Sequence, residues 1–294
     1  MKVGFIGLGR MGQGMASRIL GAGHDLRVHD AFPGQTTALE EDGAMAAESP
    51  AAACAGREIV ISSLPHDEAL AEILRGEEGL LASMPANCVH MAMGTHGVSA
   101  IKSATRGHQK SRQQFVHCPV LGRPDLAAQG ALGLVPAGEP AAVNVARPLF
   151  GILGKQTFEA GPDPQAAAAV KIANNFLLGC AIENMGEAFS LVEKMGVEPQ
   201  LFFEVMVKGL FGAPAYEVYG RFIVEETWES HGATALIGRK DADLTLEAGA
   251  EAGVPMPSTH VWREHLQAAI DNGEGALDWA VMAKVQARAS GLKK

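Results

Sequence analysis

The stretch Lys2-Val3-Gly4-Phe5-Ile6-Gly7-Leu8-Gly9-Arg10-Met11-Gly12 decides how the chain is read. Residues Lys2 to Leu8 are almost continuously apolar, as in a parallel strand covered on both faces. They run directly into Gly7-Leu8-Gly9-Arg10-Met11-Gly12, a G-x-G-x-x-G pattern followed by a helix predicted over Met11 to Leu20 and stopped at Gly21-Ala22-Gly23. In a dinucleotide-binding turn the three glycines serve a tight turn, close approach of backbone to pyrophosphate, and close packing of helix on strand. The helix start offers free N–H groups and a positive dipole end to the diphosphate. In a chain with 35 glycines the pattern alone is weak. Its place between strand and helix makes Gly7, Leu8, Gly9, Arg10, Met11 and Gly12 a candidate cofactor site.

Working outward, a second strand over Asp25 to Asp30 ends on an acidic residue 18 positions beyond Gly12. A carboxylate there accepts hydrogen bonds from the ribose hydroxyls and repels a 2′-phosphate, which predicts NAD rather than NADP. Arg10 and Arg27 are near enough in sequence to keep NADP open, and Asp30 has an alternative use in opening the turn before Phe32-Pro33-Gly34. Further strands are expected at Glu58 to Leu64, Cys88 to Met93, Phe115 to Val120 and Ala131 to Pro136. Helices are expected after Gln35, after His66 and over Ala141 to Leu153. This alternation defines an α/β, Rossmann-like NAD(P)-binding domain over residues 1–164. Past Gly161-Pro162-Asp163-Pro164 the strand signals fade, so residues 165–294 are expected to form an all-α substrate and dimerisation domain. It begins with one long helix over Gln165 to Met195, whose first half is apolar nearly all round and therefore predicted to be buried. Other helices are expected near Glu198 to Val207, Ala215 to Glu226, Ala233 to Ala252, Ser258 to Asn272 and Leu277 to Ala289.

Composition removes several classes of function. Lys and Arg number 24 against 33 Asp and Glu, a formal charge of −9, with no Lys/Arg-rich run and only a basic end at Lys293-Lys294. No nucleic-acid partner is expected. Cys54, Cys88, Cys118 and Cys180 are scattered without metal-ligand spacing, so neither a metal site nor a disulfide framework is expected, and a reducing, cytoplasmic compartment fits. The N-terminus reads as a strand, without the features of a secretory signal. The longest apolar stretch, Ala166 to Ile182, is interrupted by Lys171, Asn174 and Asn175, so no transmembrane segment is expected. Ser62-Ser63 lacks a G-x-S-x-G setting and does not suggest a hydrolase. The 12 methionines read as core filler.

The second informative stretch is Lys171-Ile172-Ala173-Asn174-Asn175 in the long helix. Asn174 and Asn175 follow the lysine by three and four residues, so they flank one helical face and could converge on one small molecule. Burying an ammonium and two amides without partners is costly. The bland alternative is a lysine reaching solvent beside asparagines that cap a kink. Beside a nucleotide domain, the chemical reading is coherent. Hydride transfer to a carbonyl leaves an alkoxide that needs a proton, and the reverse reaction must remove one. A positioned lysine serves as general acid or base and stabilises charge on the oxygen.

Taken in order, Gly4 to Gly12, Lys171-x-x-Asn174-Asn175 and Lys240-Asp241-x-x-Leu244 resemble the β-hydroxyacid dehydrogenases, typified by 3-hydroxyisobutyrate dehydrogenase and related to 6-phosphogluconate dehydrogenase. The likeness covers nearly the whole chain. It implies a Rossmann-like domain, an all-helical second domain, homodimers or homotetramers, and active sites at the domain cleft. By resemblance Lys171 is the acid/base group, Asn175 positions substrate, and Lys240 is a cofactor contact from the helical domain. Leu64 and Pro65 match a loop that touches cofactor, and Thr95 matches a threonine near the nicotinamide.

The departures from the family are in the substrate loop, where Asp-Ala-Pro-Val-Ser-Gly-Gly has become His117-Cys118-Pro119-Val120-Leu121-Gly122-Arg123. Leu121 and Arg123 replace residues that help hold a substrate carboxylate. Gly94 stands where a serine is common, and Gln165 and Ala167 replace two glycines. Arg123 could restore anion binding around Leu121, Gly122 and Arg123, or it could pair locally with Asp125. His96 and His117 would titrate usefully near neutral pH, but the packing or surface reading is preferred. Two rivals stand beside the dehydrogenase. One is an imine reductase of the same architecture, against which Lys171 argues. The other is a nucleotide-sensing protein without turnover.

Overall fold

The computed structural model describes residues 1–229 and 232–293; the terminal Lys294 lies outside them. The chain forms two compact units that divide between Lys171 and Ile172.

The first unit follows the order β1 (Lys2–Ile6), α1 (Arg10–Gly21), β2 (Asp25–His29), α2 (Thr37–Glu41), β3 (Met45–Ala46), α3 (Pro50–Cys54), β4 (Ile59–Ser62), α4 (Asp67–Leu74), α5 (Leu80–Ser83), β5 (Val89–Ala92), α6 (Val98–Lys110), β6 (Gln114–His117), β7 (Val120–Leu121), α7 (Pro124–Gln129), β8 (Leu132–Leu134), β9 (Ala137–Gly138), α8 (Pro140–Leu153) and β10 (Gly154–Thr157). Among the described residues, seven strands form one sheet in the order β3-β2-β1-β4-β5-β6-β9. It is parallel from β3 to β6, with β9 antiparallel at the edge. The chain therefore reverses direction across the sheet at β1, which places the switch point beside the glycine turn.

Side-chain alternation sorts this sheet into two apolar layers. Val3, Phe5, Ile59, Ile61, Val89 and Met91 pack with Met15 and Ile19 of α1 and with Ala146, Leu149 and Phe150 of α8. Val60, Ala92 and Phe115 face the other way, onto Cys54 of α3, Leu70 of α4 and Ile101 of α6. Both faces are covered, as the unbroken apolar character of β1 and β4 requires.

The expected strand Phe115 to Val120 is two strands. Pro119 has no N–H for a ladder, so β6 stays in the large sheet while β7 joins β8 and β10 in a second sheet. The strand expected at Ala131 to Pro136 is β8, in that second sheet. Helix α6 was not expected. Its buried stripe is Ile101, Ala104 and His108, in which a small and a polar residue replace the usual apolar signal.

From α9 (Pro164–Lys194) onward the described chain is helical, with α10 (Pro199–Lys208), α11 (Pro214–Glu225), α12 (Ala235–Ala252), α13 (Pro257–Asp271) and α14 (Val281–Ala289). At 31 residues α9 is roughly 46 Å long. The core of the second unit gathers Ile182, Met185 and Phe189 of α9 around Trp262, Leu266, Trp279 and Met282. The first half of α9 is not buried all round. Ala167, Ala168, Ile172 and Asn175 are buried, whereas Val170 is 45% and Leu177 67% exposed. A run rich in alanine covers little surface per residue, so the neighbouring elements bury one stripe of it and leave the opposite face open.

Candidate active site

The glycine turn has the shape its sequence requires. Gly7 takes φ +90° and donates its N–H to His29 O at 2.9 Å. A side chain there would overlap Ser63 O, and one at Gly12 would overlap the carbonyl oxygen of Gly7. Both glycines therefore hold protein against protein. Gly9 differs: a Cβ added to it meets nothing within 4 Å, so its backbone borders open space. Gly9 is also the N-cap of α1, without a side-chain cap and with no acidic residue in the first turn. An open glycine at an uncapped helix start fits a dinucleotide diphosphate.

The flanking residues divide by role. Leu8 is buried, and its N–H is donated to Asp30 Oδ2 at 2.6 Å. Met11 packs against the sheet core, while Arg10 is exposed at the first position of α1. Asp30 follows β2 and accepts a second hydrogen bond from Phe32 N at 2.8 Å. It thus opens the turn before Phe32-Pro33-Gly34. A carboxylate has about four lone-pair directions, so two remain for a ribose. Arg27 donates Nη1 to Ala52 O and Ala55 O, 2.7 and 3.2 Å away at the end of α3. One nitrogen of that guanidinium is thus held by carbonyl groups.

Leu64 and Pro65 follow β4 and Thr95 follows β5, at the carboxyl ends of adjacent strands. Leu64 and Thr95 are half-buried, and Pro65 is exposed. Beside them His96 Nδ1 donates to Asp67 Oδ1 at 2.9 Å, and His117 Nε2 donates to Gly94 O at 3.3 Å. Both rings are buried, as the packing reading expected. Burial pushes the His117 pKa down to about 3, so this imidazole is neutral.

In the segment that the resemblance pairs with substrate, Leu121 ends β7, Gly122 is exposed at φ +146°, and Arg123 is the N-cap of α7. A side chain at Gly122 would meet Leu132, and the backbone angle itself favours glycine. Arg123 Nη2 pairs with Asp125 Oδ2 at 3.2 Å, the local bridge weighed from sequence. The pair is partly solvated and therefore weak.

In the second unit Asn175 meets the Lys240-Asp241 motif. Asn175 is buried and donates Nδ2 to Asp241 Oδ2 at 2.7 Å, across 66 residues of sequence. Asp241 is 4% exposed, and Lys240 Nζ lies 3.0 Å from its Oδ1. Asn174 does not share the buried face; it is exposed and reaches Asn175 Oδ1 at 3.4 Å. Lys171, half-buried, stands one helical turn before Asn175 on α9. The sequence reading gave Asp241 no role, although it sits in the same motif as Lys240. Among the described residues no group of three or more His, Cys, Asp or Glu is arranged to hold a metal ion.

Two known families match most of the chain. Residues 2–161 match the family described as the NAD binding domain of 6-phosphogluconate dehydrogenase. Residues 166–286 match the NAD-binding domain of NADP-dependent 3-hydroxyisobutyrate dehydrogenase. The oxidoreductase YfjR of Bacillus subtilis is 37% identical over 97% of this chain and 99% of its own. An NAD-dependent L-serine dehydrogenase of Pseudomonas aeruginosa is 31% identical over 97% of each chain. The structure of 3-hydroxyisobutyrate dehydrogenase from Mycobacterium tuberculosis with L-serine shares the fold, with a TM-score of 0.86 at 24% identity, covering 96% of this chain and 97% of that one.

These matches make the chain an enzyme, a nicotinamide-dependent oxidoreductase. The chain belongs to the β-hydroxyacid dehydrogenase family.

Proposed function

We propose that this enzyme oxidises a 3-hydroxy acid, or reduces the corresponding aldehyde or ketone, with Lys171 as general acid/base and NAD as the preferred coenzyme. The observation that carries the reading is the Asn175–Asp241–Lys240 cluster one turn from Lys171, because it ties together residues that two separate motifs had singled out. A bound nicotinamide accepts or supplies the hydride. The protein's own part is proton handling and orientation. In oxidation Lys171 Nζ takes the hydroxyl proton as the carbonyl forms; in reduction it returns that proton to the developing alkoxide. Asn175, its amide fixed by Asp241, orients the substrate oxygen, with Asn174 at the rim. Arg123, beside Gly122 and Leu121, receives the substrate carboxylate when its solvated bridge to Asp125 opens.

Gly7 to Gly12 hold the diphosphate and Asp30 the adenosine ribose on the β2 side. Leu64, Pro65 and Thr95 flank the nicotinamide half on the β4–β5 side, with Lys240 as a further coenzyme contact. The commitment of Arg27 to Ala52 and Ala55 favours NAD over NADP. Relatives named for L-serine and 2-(hydroxymethyl)glutarate support a 3-hydroxy acid as substrate class. The domain boundary is assigned to the turn at residues 161–164. Exposed Val170, Leu177 and Leu191 on α9 support a homodimer or homotetramer, and the four free cysteines support the cytoplasm. By length and hydropathy α9 alone among the described residues is fit to cross a membrane, but 44% of its most apolar window is buried, and we read it as a core helix.

Nicotinamide absorbance followed over hydroxy acids, aldehydes and cyclic imines tests this reading. Turnover of a 3-hydroxy acid supports it. Turnover of imines alone transfers the chain to the imine reductases, and tight NAD binding without turnover makes it a sensor.

A further inference from the structure

Leu64-Pro65 and Thr95 lie on two segments that leave neighbouring strands and have no backbone ladder between them beyond Met93, whose N–H is bonded to Ser62 O at 2.7 Å. Something else must set their separation. Asp67, the first residue of α4, does so with one carboxylate. Its Oδ1 accepts from His96 Nδ1 at 2.9 Å, and both of its oxygens lie 3.2 Å from the N–H of Gly97. A carboxylate accepts only, so His96 carries its proton on Nδ1 in this bond. Gly97 is the N-cap of α6, which has no side-chain cap of its own and no acidic residue in its first turn. Asp67 therefore also supplies the negative charge that a helix start favours.

The fit around His96 is tight. A Cβ added at Gly94 would stand 2.5 Å from His96 Nε2 and 2.5 Å from Leu64 O. A serine at position 94, common in the family, is thus incompatible with this ring in this position. The glycine and the histidine go together. On the other flank His117 at the end of β6 donates to Gly94 O. Thr95 is held on both sides, through Gly94 by His117 and through His96 by Asp67. His96 itself is 1% exposed, so the ring works through its neighbours.

We infer that Asp67 and His96 form a clamp that positions Thr95 against Leu64-Pro65 and so shapes the nicotinamide half of the coenzyme site. The inference rests on the coenzyme placement proposed above: adenosine over β2, nicotinamide over β4 and β5. Asp67 and His96 are positioning residues. Releasing them frees a loop that the coenzyme must then order, which weakens binding of the nicotinamide half while leaving the adenosine half unaffected.

The test is titration calorimetry with NAD and with ADP-ribose, which lacks the nicotinamide, on the full chain and on Asp67→Asn, His96→Ala and His96→Asn. Asparagine keeps a donor where Nδ1 stands. The expected result is about a tenfold weaker Kd for NAD in Asp67→Asn and His96→Ala. ADP-ribose should change less than about twofold, with partial recovery in His96→Asn. Equal losses for both ligands, or unchanged NAD binding in folded variants, would overturn the clamp and leave the coenzyme reading standing. A wild-type chain that binds neither ligand would overturn both.

Discussion

Acid should unfold the first unit early, through a line of buried histidines. Ser62 Oγ lies 2.8 Å from His90 Nε2, His90 Nδ1 lies 2.9 Å from His108 Nε2, and His108 Nδ1 lies 3.0 Å from Gln113 Oε1. Gln113 Nε2 donates to Leu80 O and Met84 O, which turns its Oε1 toward His108. The directions follow: Ser62 donates to His90, His90 to His108, and His108 to Gln113. Each imidazole then carries one proton, on Nδ1, and a second proton on His108 Nε2 would face the Nδ1–H of His90. Burial holds the His90 pKa well below the ordinary value of 6.5 and pushes His108 down to about 4.

A lowered histidine contributes stability that is complete above the unfolded pKa and is lost as pH falls from there through the folded pKa, because the unfolded chain binds the proton first. Between pH 6.5 and 4, His108 alone removes about 3 kcal/mol, at about 1.4 kcal/mol per pH unit. Urea unfolding of the wild type and His108→Gln between pH 7 and 4.5 measures this. The variant should start less stable at pH 7 and lose stability less steeply, by about 1.4 kcal/mol per unit. Carboxylates titrate alike in both and cancel in the difference. Identical slopes would refute the network as the cause.

Gly9→Ala should leave Tm within about 2 °C of wild type while weakening NAD binding at least tenfold, since its Cβ faces open space; Gly12→Ala should lower both, because its Cβ overlaps Gly7 O. Asp241→Ala leaves a buried amide and Lys240 without their shared carboxylate. It should cost about 2 kcal/mol in urea unfolding, less than a fully buried pair because Lys240 is 23% exposed, and should raise KM for substrate. Asp30→Asn removes the charge that repels a 2′-phosphate and should move the kcat/KM ratio about tenfold toward NADP. An unchanged ratio would remove Asp30 from coenzyme choice.

What the sequence disclosed was local. The strand, glycine turn and helix from Lys2 to Gly21 are written in consecutive residues, and so is the length of α9. Features that depend on distant partners were not legible. Asp67 and His96 are 29 positions apart, and neither carries a local signal of the other. Asn174 and Asn175 looked equivalent by spacing, but only Asn175 finds a buried carboxylate, supplied by α12. The burial of α9 was overestimated because an apolar run announces hydrophobic surface without saying what covers it. Strands β3 and β9, two residues each, are too short to show alternation, and β10 carries no large apolar residue and is largely exposed.

The central claim is that Lys171 moves the proton while other residues hold the coenzyme. Lys171→Ala, with NAD affinity from calorimetry and single-turnover hydride transfer measured on the same preparation, tests it most directly. The variant should keep an NAD Kd within about twofold of wild type and transfer hydride about a hundredfold or more slowly. Transfer at the wild-type rate in a variant that still binds NAD would contradict it.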